Sequence, residues 1–510
     1  MVGQGGLLQL VALGKQDVFL TGNPQMTWFK MVYRRYTNFA IESQPMYFDG
    51  TPDFGKRITC LVPRRGDLLG QVLLEVTLPA LTVSTAADPT TQIPVAYVNS
   101  IGHALIQEIT IEIGEQEVDR QNGEWMEIWS TYTTTKDKET GFYNMIGKVD
   151  SFTNTSPSLV GPLNLYIPLK FWFCKNPGLA LPLIALQYHP IRINLTIRPL
   201  SQLFFTLALT PNPSVTSVQG SITGTTLTVF DIYSGPITVG MILSGTGIVS
   251  GTTITAFNVV SLNGTGTYTV NISQSVQATI ITGTSPLSSS SYCPNITVNP
   301  ASITSLMLWG DYMYLDVEER RRFVSNTHEY LIEQVQYTAP IPIAPGATSA
   351  SLRLEFNHPI RELFWFIQRD DMIRFHDLFN YSSLGTFESG TRQDMLQSAI
   401  LQLDGFDRFQ ARDAAYFRLV QPWQYHSVIP EDFYVYSYSF CLRPEDIQPN
   451  GSFNASRMDS IVLQVFLNPT VINPTTGTTQ PLGSLHARVY GINHNVLRIA
   501  DGFGGVLFTI

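Results

Sequence analysis

The side chains able to do chemistry are few and scattered. Eight histidines are spread along the chain without metal-ligand spacing. Two of them lie near carboxylates, in "HEYLIEQ" (328–334) and "HDLF" (376–379). A general base needs its partner within hydrogen-bond reach, and a solvated or packed pair accounts for both stretches equally well. The Asp-Gly pairs of "DGFDR" (404–408) and "ADGFGG" (500–505) suit turns. Cysteines at 60, 174, 293 and 441 form no CxxC pair and no Cys/His ligand set, which argues against a zinc site. Four isolated cysteines fit buried thiols in a reducing compartment. No phosphate-cradling glycine loop, HExxH or GxSxG occurs. These residues imply neither an enzyme nor a cofactor.

The densest chemistry is that of recognition. "TGNPQMTWFKMVYRRYTNFAIES" (21–43) sets Trp28, Phe29, Tyr33, Tyr36 and Phe39 around Lys30, Arg34 and Arg35. A second cluster, "ERRRF" (319–323), holds Arg320, Arg321 and Arg322. Aromatics interleaved with arginine can stack on single-stranded bases, lie on a membrane surface, or pack at protein interfaces, where both are enriched. The net charge of −9 opposes a general nucleic-acid binder, which needs a basic footprint. Asp316, Glu318 and Glu319 beside the arginines point the same way. Trp28, Phe29, Tyr33, Arg34, Arg35, Tyr36 and the three arginines are therefore candidate assembly contacts, and no direct specific nucleic-acid binding is expected.

Sequons occur at Asn154, Asn194, Asn263, Asn271, Asn295, Asn380 and Asn454. Asn263, Asn271 and Asn295 are the candidates for glycosylation, although a chain rich in Ser and Thr makes sequons by chance. "MVGQGGLLQLVALGKQDVF" lacks the basic start of a signal peptide. The longest apolar stretch, "GLALPLIALQY" (178–188), is short of the ~20 residues that span a bilayer. The expectation is a soluble protein made in the cytoplasm.

The elements that must hold these clusters read as strands. "LLGQVLLEVTLPAL" (68–81), "ALIQEITIEIG" (104–114), "LNLYIPLKFWF" (163–173) and "IRINLTIRPL" (191–200) are apolar, β-branched or alternating. In "ITIEI" the period of two puts Ile109, Ile111 and Ile113 on one face. Further strands follow at 351–356, 362–369, 399–406, 433–442, 460–467 and 485–499. "EWMEIWSTYTT" (124–134) is the best helix, expected as a short loop helix. Only 14% of residues are charged, against about 25% in ordinary soluble domains, so much surface is uncharged or hidden. Between Arg198 and Asp311 the sole charged residue is Asp231. That Thr/Gly/Ser-rich stretch keeps regular apolar positions, which argues for an inserted β domain over 206–292 rather than disorder. Removing it leaves two strand-rich blocks, each sufficient for a sandwich.

The opening signature "GKQDVFLTGNPQMTWFKMVYRRYTNFAIES" closely resembles that of the major capsid proteins of large icosahedral double-stranded DNA viruses, the phycodnavirus and iridovirus type. The resemblance continues through "RRGDLLGQVLLEVTLP", "LYIPLKFWFCKNPGLALPLIALQYH", "LWGDYMYLDVEERRRFVSNTHEYLIEQVQ", "FNHPIRELFWF", "DRFQARDAAYFRLVQPWQYH" and "NHNVLRIADGFGG". It implies a mainly β fold, a double jelly roll of two eight-stranded β-sandwiches, here with a small inserted β domain. It also implies pseudo-hexagonal homotrimers that tile an icosahedral shell. On this pattern residues 1–25 are an N-terminal arm, 26–325 the first roll and 326–510 the second. The 206–292 insert falls in the HI loop of roll one, beside the DE and FG loops, at the end that faces outward in the family. Implied partners are the chain itself, neighbouring capsomers, minor capsid proteins and an internal membrane. The implied setting is a virion capsid assembled in host cytoplasm, with host attachment as a possible role of its outer surface. A rival reading is a carbohydrate-binding, lectin-like β-sandwich, since jelly rolls also serve lectins. The insert departs from the shorter family pattern, so the resemblance implies nothing about its role.

Overall fold

The computed structural model describes residues 4–81, 95–148, 161–206, 215–234, 237, 241–260, 265–284, 302–374, 376–384, 392–468, 470–472, 479–481 and 483–509. Two short helices, α1 (Gln4–Val11) and α2 (Asp17–Thr21), precede the first strand. Then come β1 (Phe39–Met46), β2 (Arg57–Leu61), β3 (Leu68–Leu78), β4 (Ile106–Ile113) and β5 (Gln116–Gln121). Helices α3 (Gly123–Thr133) and α4 (Lys136–Ile146) lead to β6 (Leu163–Pro168) and β7 (Ile191–Ile197). After β8 (Val215–Ser234), β9 (Ile242–Gly245), β10 (Ile254–Val260) and β11 (Gly266–Thr284), the chain returns in β12 (Ser305–Leu315) and α5 (Val317–Ser325). The last block holds β13 (His328–Tyr337), β14 (Ser349–Arg353), β15 (Pro359–Arg369), β16 (Leu396–Leu403) and β17 (Phe406–Asp407). It ends with β18 (Val435–Ser439), β19 (Ile461–Leu467), β20 (Leu485–Ala500) and β21 (Phe503–Val506).

Pairing sorts these strands into two jelly rolls. The first has the sheets β1-β12-β3-β6 and β2-β7-β4-β5. The second repeats the pattern in β13-β20-β15-β18 and β14-β19-β16-β17. In roll one the first strand pairs antiparallel with the last, β1 with β12, and in roll two β13 pairs with the long β20, so each roll closes on a contact distant in sequence. Alternation decides the inner faces: Ile109, Ile111 and Ile113 are all buried, as their period requires. Thr110 on the opposite face is buried as well, because Asn194 of β7 bonds its hydroxyl.

Strands β8 to β11 form a separate four-stranded sheet with its own core, including Ile222, Leu227, Met241, Ile254, Tyr268 and Ile281. Its strands pack extensively only on one another. At its base Val95–Tyr97, between β3 and β4, pairs with Phe204–Thr206, between β7 and β8.

Helix α3 occupies the expected stretch, but it is no peripheral loop helix. Trp125, Met126, Glu127, Ile128 and Trp129 are all buried. Helix α4, "KDKETGFYNMI", has no counterpart in the sequence reading; its apolar positions are too few to mark a helix by period.

Candidate assembly surfaces

The two rolls are joined by a mixed aromatic and ionic layer built on α3. Asn122 caps the helix, its side-chain oxygen accepting from Trp125 N at 2.8 Å. The same side chain donates to the Tyr490 hydroxyl of roll two at 3.0 Å. Gly123 opens the helix where a Cβ would lie 2.0 Å from the His103 carbonyl oxygen, so only glycine permits this approach. Trp125 then stacks on Trp129 and Tyr490, with centroids 5.6 and 5.7 Å away, and meets Phe364 edge-on. Tyr132 donates to the Val435 carbonyl at 2.8 Å. The helix therefore belongs to roll one by sequence, and its Trp125, Ile128, Trp129 and Tyr132 pack with Phe364 and Tyr490 in a cluster between the two roll cores, while Met126 faces the core of roll one.

Ion pairs cross the same layer. Glu124 takes both Arg488 and the Tyr490 hydroxyl. Lys175 of roll one and Arg361 of roll two converge on Glu333. Burial opposes the charge on Glu333, but those two cations outweigh it and hold the carboxyl at about 2. Burial alone pushes Asp119 up to about 6, although Val335 N of roll two donates to it at 3.1 Å. Beside α3, His426 lies 5.0 Å from the Tyr132 ring and bonds Glu362 at 2.6 Å and Glu445 at 3.2 Å. Burial would neutralise this imidazole; the two carboxylates win and raise it to about 9. Nothing at the level of sequence marks His426 or Glu362, and Glu333 stands out there only as a carboxylate near His328; their partners are brought together by strand register.

The N-terminal arm is the opposite case. Trp28 is 85% exposed, Phe29 98%, Tyr33 78% and Tyr36 84%, and Arg34 and Arg35 are exposed too. Leu7, Leu8, Phe19 and Leu20 are likewise open. Tyr36 meets Phe39 edge-on at 6.1 Å, within the arm itself. Four cations (Lys15, Lys30, Arg34, Arg35) against one carboxylate (Asp17) give residues 1–36 a charge of +3, in a chain of net −9.

Among the described residues the arginines of α5 make no ion pair with roll two. Arg320 pairs with Asp67 of roll one at 3.1 Å, and Arg321 pairs with Glu318 of its own helix at 3.4 Å. Asp67 is nearly buried and also accepts from Leu315 N at 2.9 Å, so Arg320 fastens α5 to its own roll. Arg322 is exposed. Of the sequons, Asn263 and Asn295 lie outside the described residues. Asn271 is exposed but engaged, accepting from Thr253 N at 2.7 Å and donating to the Gly251 carbonyl at 3.1 Å. Asn194 and Asn380 are buried. Burial pushes the Cys60 and Cys174 thiols up to about 12, which keeps both unreactive; Cys293 lies outside the described residues.

Comparison with known proteins agrees with this architecture. Residues 27–233 match the family described as major capsid protein N-terminus, and residues 319–505 the family described as large eukaryotic DNA virus major capsid protein. The chain is 31% identical to the major capsid protein of Phaeocystis pouchetii virus, over 99% of both proteins. It is 32% identical to that of Paramecium bursaria Chlorella virus 1, again over 99% of both. Among solved structures, a chain of the PBCV-1 virus capsid superposes with a TM-score of 0.65 at 26% identity, covering 95% of this chain and 100% of that one. The Faustovirus major capsid protein shares the fold, with a TM-score of 0.66 at 14% identity over 96% and 94% of the two chains. By sequence over its whole length and by its paired jelly rolls, the chain belongs to the major capsid proteins of large eukaryotic DNA viruses.

Proposed function

We propose that the chain is a self-assembling shell subunit that forms pseudo-hexagonal homotrimers, which then tile an icosahedral capsid. The supporting observation is the contrast in apolar burial. Most aromatic residues of the rolls are buried, with Trp423, Phe406 and Tyr188 among the exceptions, whereas the continuous stretch 7–39 displays more than a dozen large apolar side chains to solvent. Soluble monomers rarely leave such a patch uncovered. A cationic, aromatic arm on an acidic chain suits a second copy of that chain, reached outside the body of its own rolls. We take residues 1–25 as an assembly arm, continued by the exposed stretch 26–36 at the start of roll one (26–325, with its 206–292 insert), and 326–510 as roll two. Minor capsid proteins and an internal membrane are further partners for the inner side. The insert is assigned to the outer side, as a surface open to host contact, and assembly to the host cytoplasm. No catalytic role is assigned.

Expression of the full chain, followed by imaging of its assemblies, tests this reading. Trimers that associate into sheets or shells are expected. A Trp28→Ala/Phe29→Ala variant should form trimers but associate poorly. Equal higher assembly by the variant would remove the arm from the account.

A further inference from the structure

A cleft of about 580 Å³ opens where the two rolls meet, between α3, α4 and the roll-two segments 376–384 and 428–433. That size suits a small ligand. It lies at the end from which the insert springs: His376 Nδ1 is 2.6 Å from the Phe204 carbonyl oxygen at the insert base.

Its floor is a preorganised polar group. Glu127 accepts from Ser100 Oγ at 3.1 Å and Lys148 Nζ at 2.9 Å, and contacts His103 Nδ1 at 2.6 Å. Burial opposes ionisation of Glu127, but Lys148 and the His103 bond hold its carboxyl at about 2. Ser100 is kept at φ 52°, in the left-handed region, a conformation that costs a non-glycine residue energy and recurs at ligand sites. The wall is aromatic, from Tyr143, Phe379, Tyr381 and Phe433. Tyr381 is buried and its hydroxyl has no hydrogen-bond partner among the described residues. The rim carries Arg392, Glu431 and Asp432, exposed and outside any ion pair among the described residues.

Counting the lining, five carboxylates (Glu127, Glu139, Asp377, Glu431, Asp432) face three cations (Lys136, Lys148, Arg392). The excess of negative charge disfavours phosphate, sulfate and carboxylate ligands. Aromatic faces beside carboxylate acceptors and cationic donors match a molecule with apolar C–H faces and many hydroxyls. We propose that this inter-roll cleft is a binding site for a neutral saccharide, with Glu431 and Asp432 accepting sugar hydroxyls, Arg392 donating, and the aromatic wall packing on the ring face. Binding itself does not depend on the capsid reading; only its use on the outside of a particle does.

The test uses the full-length protein and the methyl glycosides of glucose, galactose and mannose, with cellobiose, at up to about 50 mM, followed by saturation-transfer NMR and calorimetry. Saturable binding of at least one of them is expected. A Glu431→Gln/Asp432→Asn double variant should weaken it about tenfold, as loss of charged hydrogen bonds does, with an unchanged melting temperature. Arg392→Gln should weaken it without changing assembly. Glucose 6-phosphate and N-acetylneuraminic acid should not compete. Absence of saturable binding to every neutral sugar overturns the proposal. So does tighter binding of either anionic sugar, preference for spermidine over all sugars, or affinity unaltered in both variants. Particle formation is scored separately, so failure of the cleft and failure of the shell reading remain distinguishable.

Discussion

Two stretches of this chain look alike in composition and end in opposite places. "EWMEIWSTYTT" and "TWFKMVYRRYTNF" are both dense in Trp and Tyr. The first is buried to its last ring between the rolls; the second is open to solvent along its length. Aromatic density therefore announces a partner without saying where the partner is. For α3 it lies more than two hundred residues away in the same chain, at Phe364 and Tyr490. For the arm no such surface exists among the described residues of its own chain.

Alanine substitution should separate the two most sharply. Trp125→Ala removes a ring packed on Trp129, Phe364 and Tyr490, and should cost about 3–5 kcal/mol of stability, seen as loss of soluble protein or a large fall in melting temperature. Trp28→Ala should leave the melt of the isolated capsomer within about 0.5 kcal/mol. Similar losses at both sites would mean that the arm is part of the fold.

pH should act on the junction and spare the arm. Because the folded pKa of His426 is raised from 6.5 to about 9, its contribution is complete below about 6.5 and disappears as pH rises through about 9. Glu127 is lowered from 4.5 to about 2, so its contribution is present above 4.5 and disappears as pH falls toward 2. Thermal melts should therefore show an alkaline decline above about pH 6.5, on the order of 3 kcal/mol. His426→Gln should flatten the alkaline limb; an undiminished limb would assign it to another group.

Glu124→Ala leaves Arg488 without its carboxylate in a part-buried site. A cost of about 2 kcal/mol is expected, below the figure for a fully buried pair because water reaches both groups. A denaturant titration of this variant against Arg320→Ala, whose partner Asp67 lies within roll one, would show whether the inter-roll layer is the costlier one to break. The smallest effect is expected at the insert. Replacing residues 212–290 with a short Gly/Ser linker should leave the capsomer folded, since the insert core is separate and loop length costs little closure entropy.

Much of this architecture was legible in the sequence because jelly-roll strands are half-buried and alternate. Ile109, Ile111 and Ile113 show the period, β3 and β7 lie within stretches that read as strands, and β20 coincides with one to within a residue. What was not legible has a common cause. The burial of α3, the shared carboxylate Glu333 and the His426–Glu362 pair depend on residues brought together by pairing across long sequence separations. The arginines of α5 illustrate the limit: the charged run gives no sign that Asp67, more than two hundred residues earlier and close in space through β12, is the partner of Arg320. The two-residue β17 falls in "DGFDR", which reads as a turn, and two residues are too few to show a strand period.

The shell role proposed for this chain depends on its self-association into a threefold capsomer. The direct measurement is the solution mass of the purified full-length protein by light scattering, with negative-stain images of the same fraction. The account predicts three copies of the 56.8 kDa chain in a particle of hexagonal outline, unchanged by chelator or nuclease. A stable monomer or dimer at assembly concentrations, or a trimer that dissociates on either treatment, would contradict it.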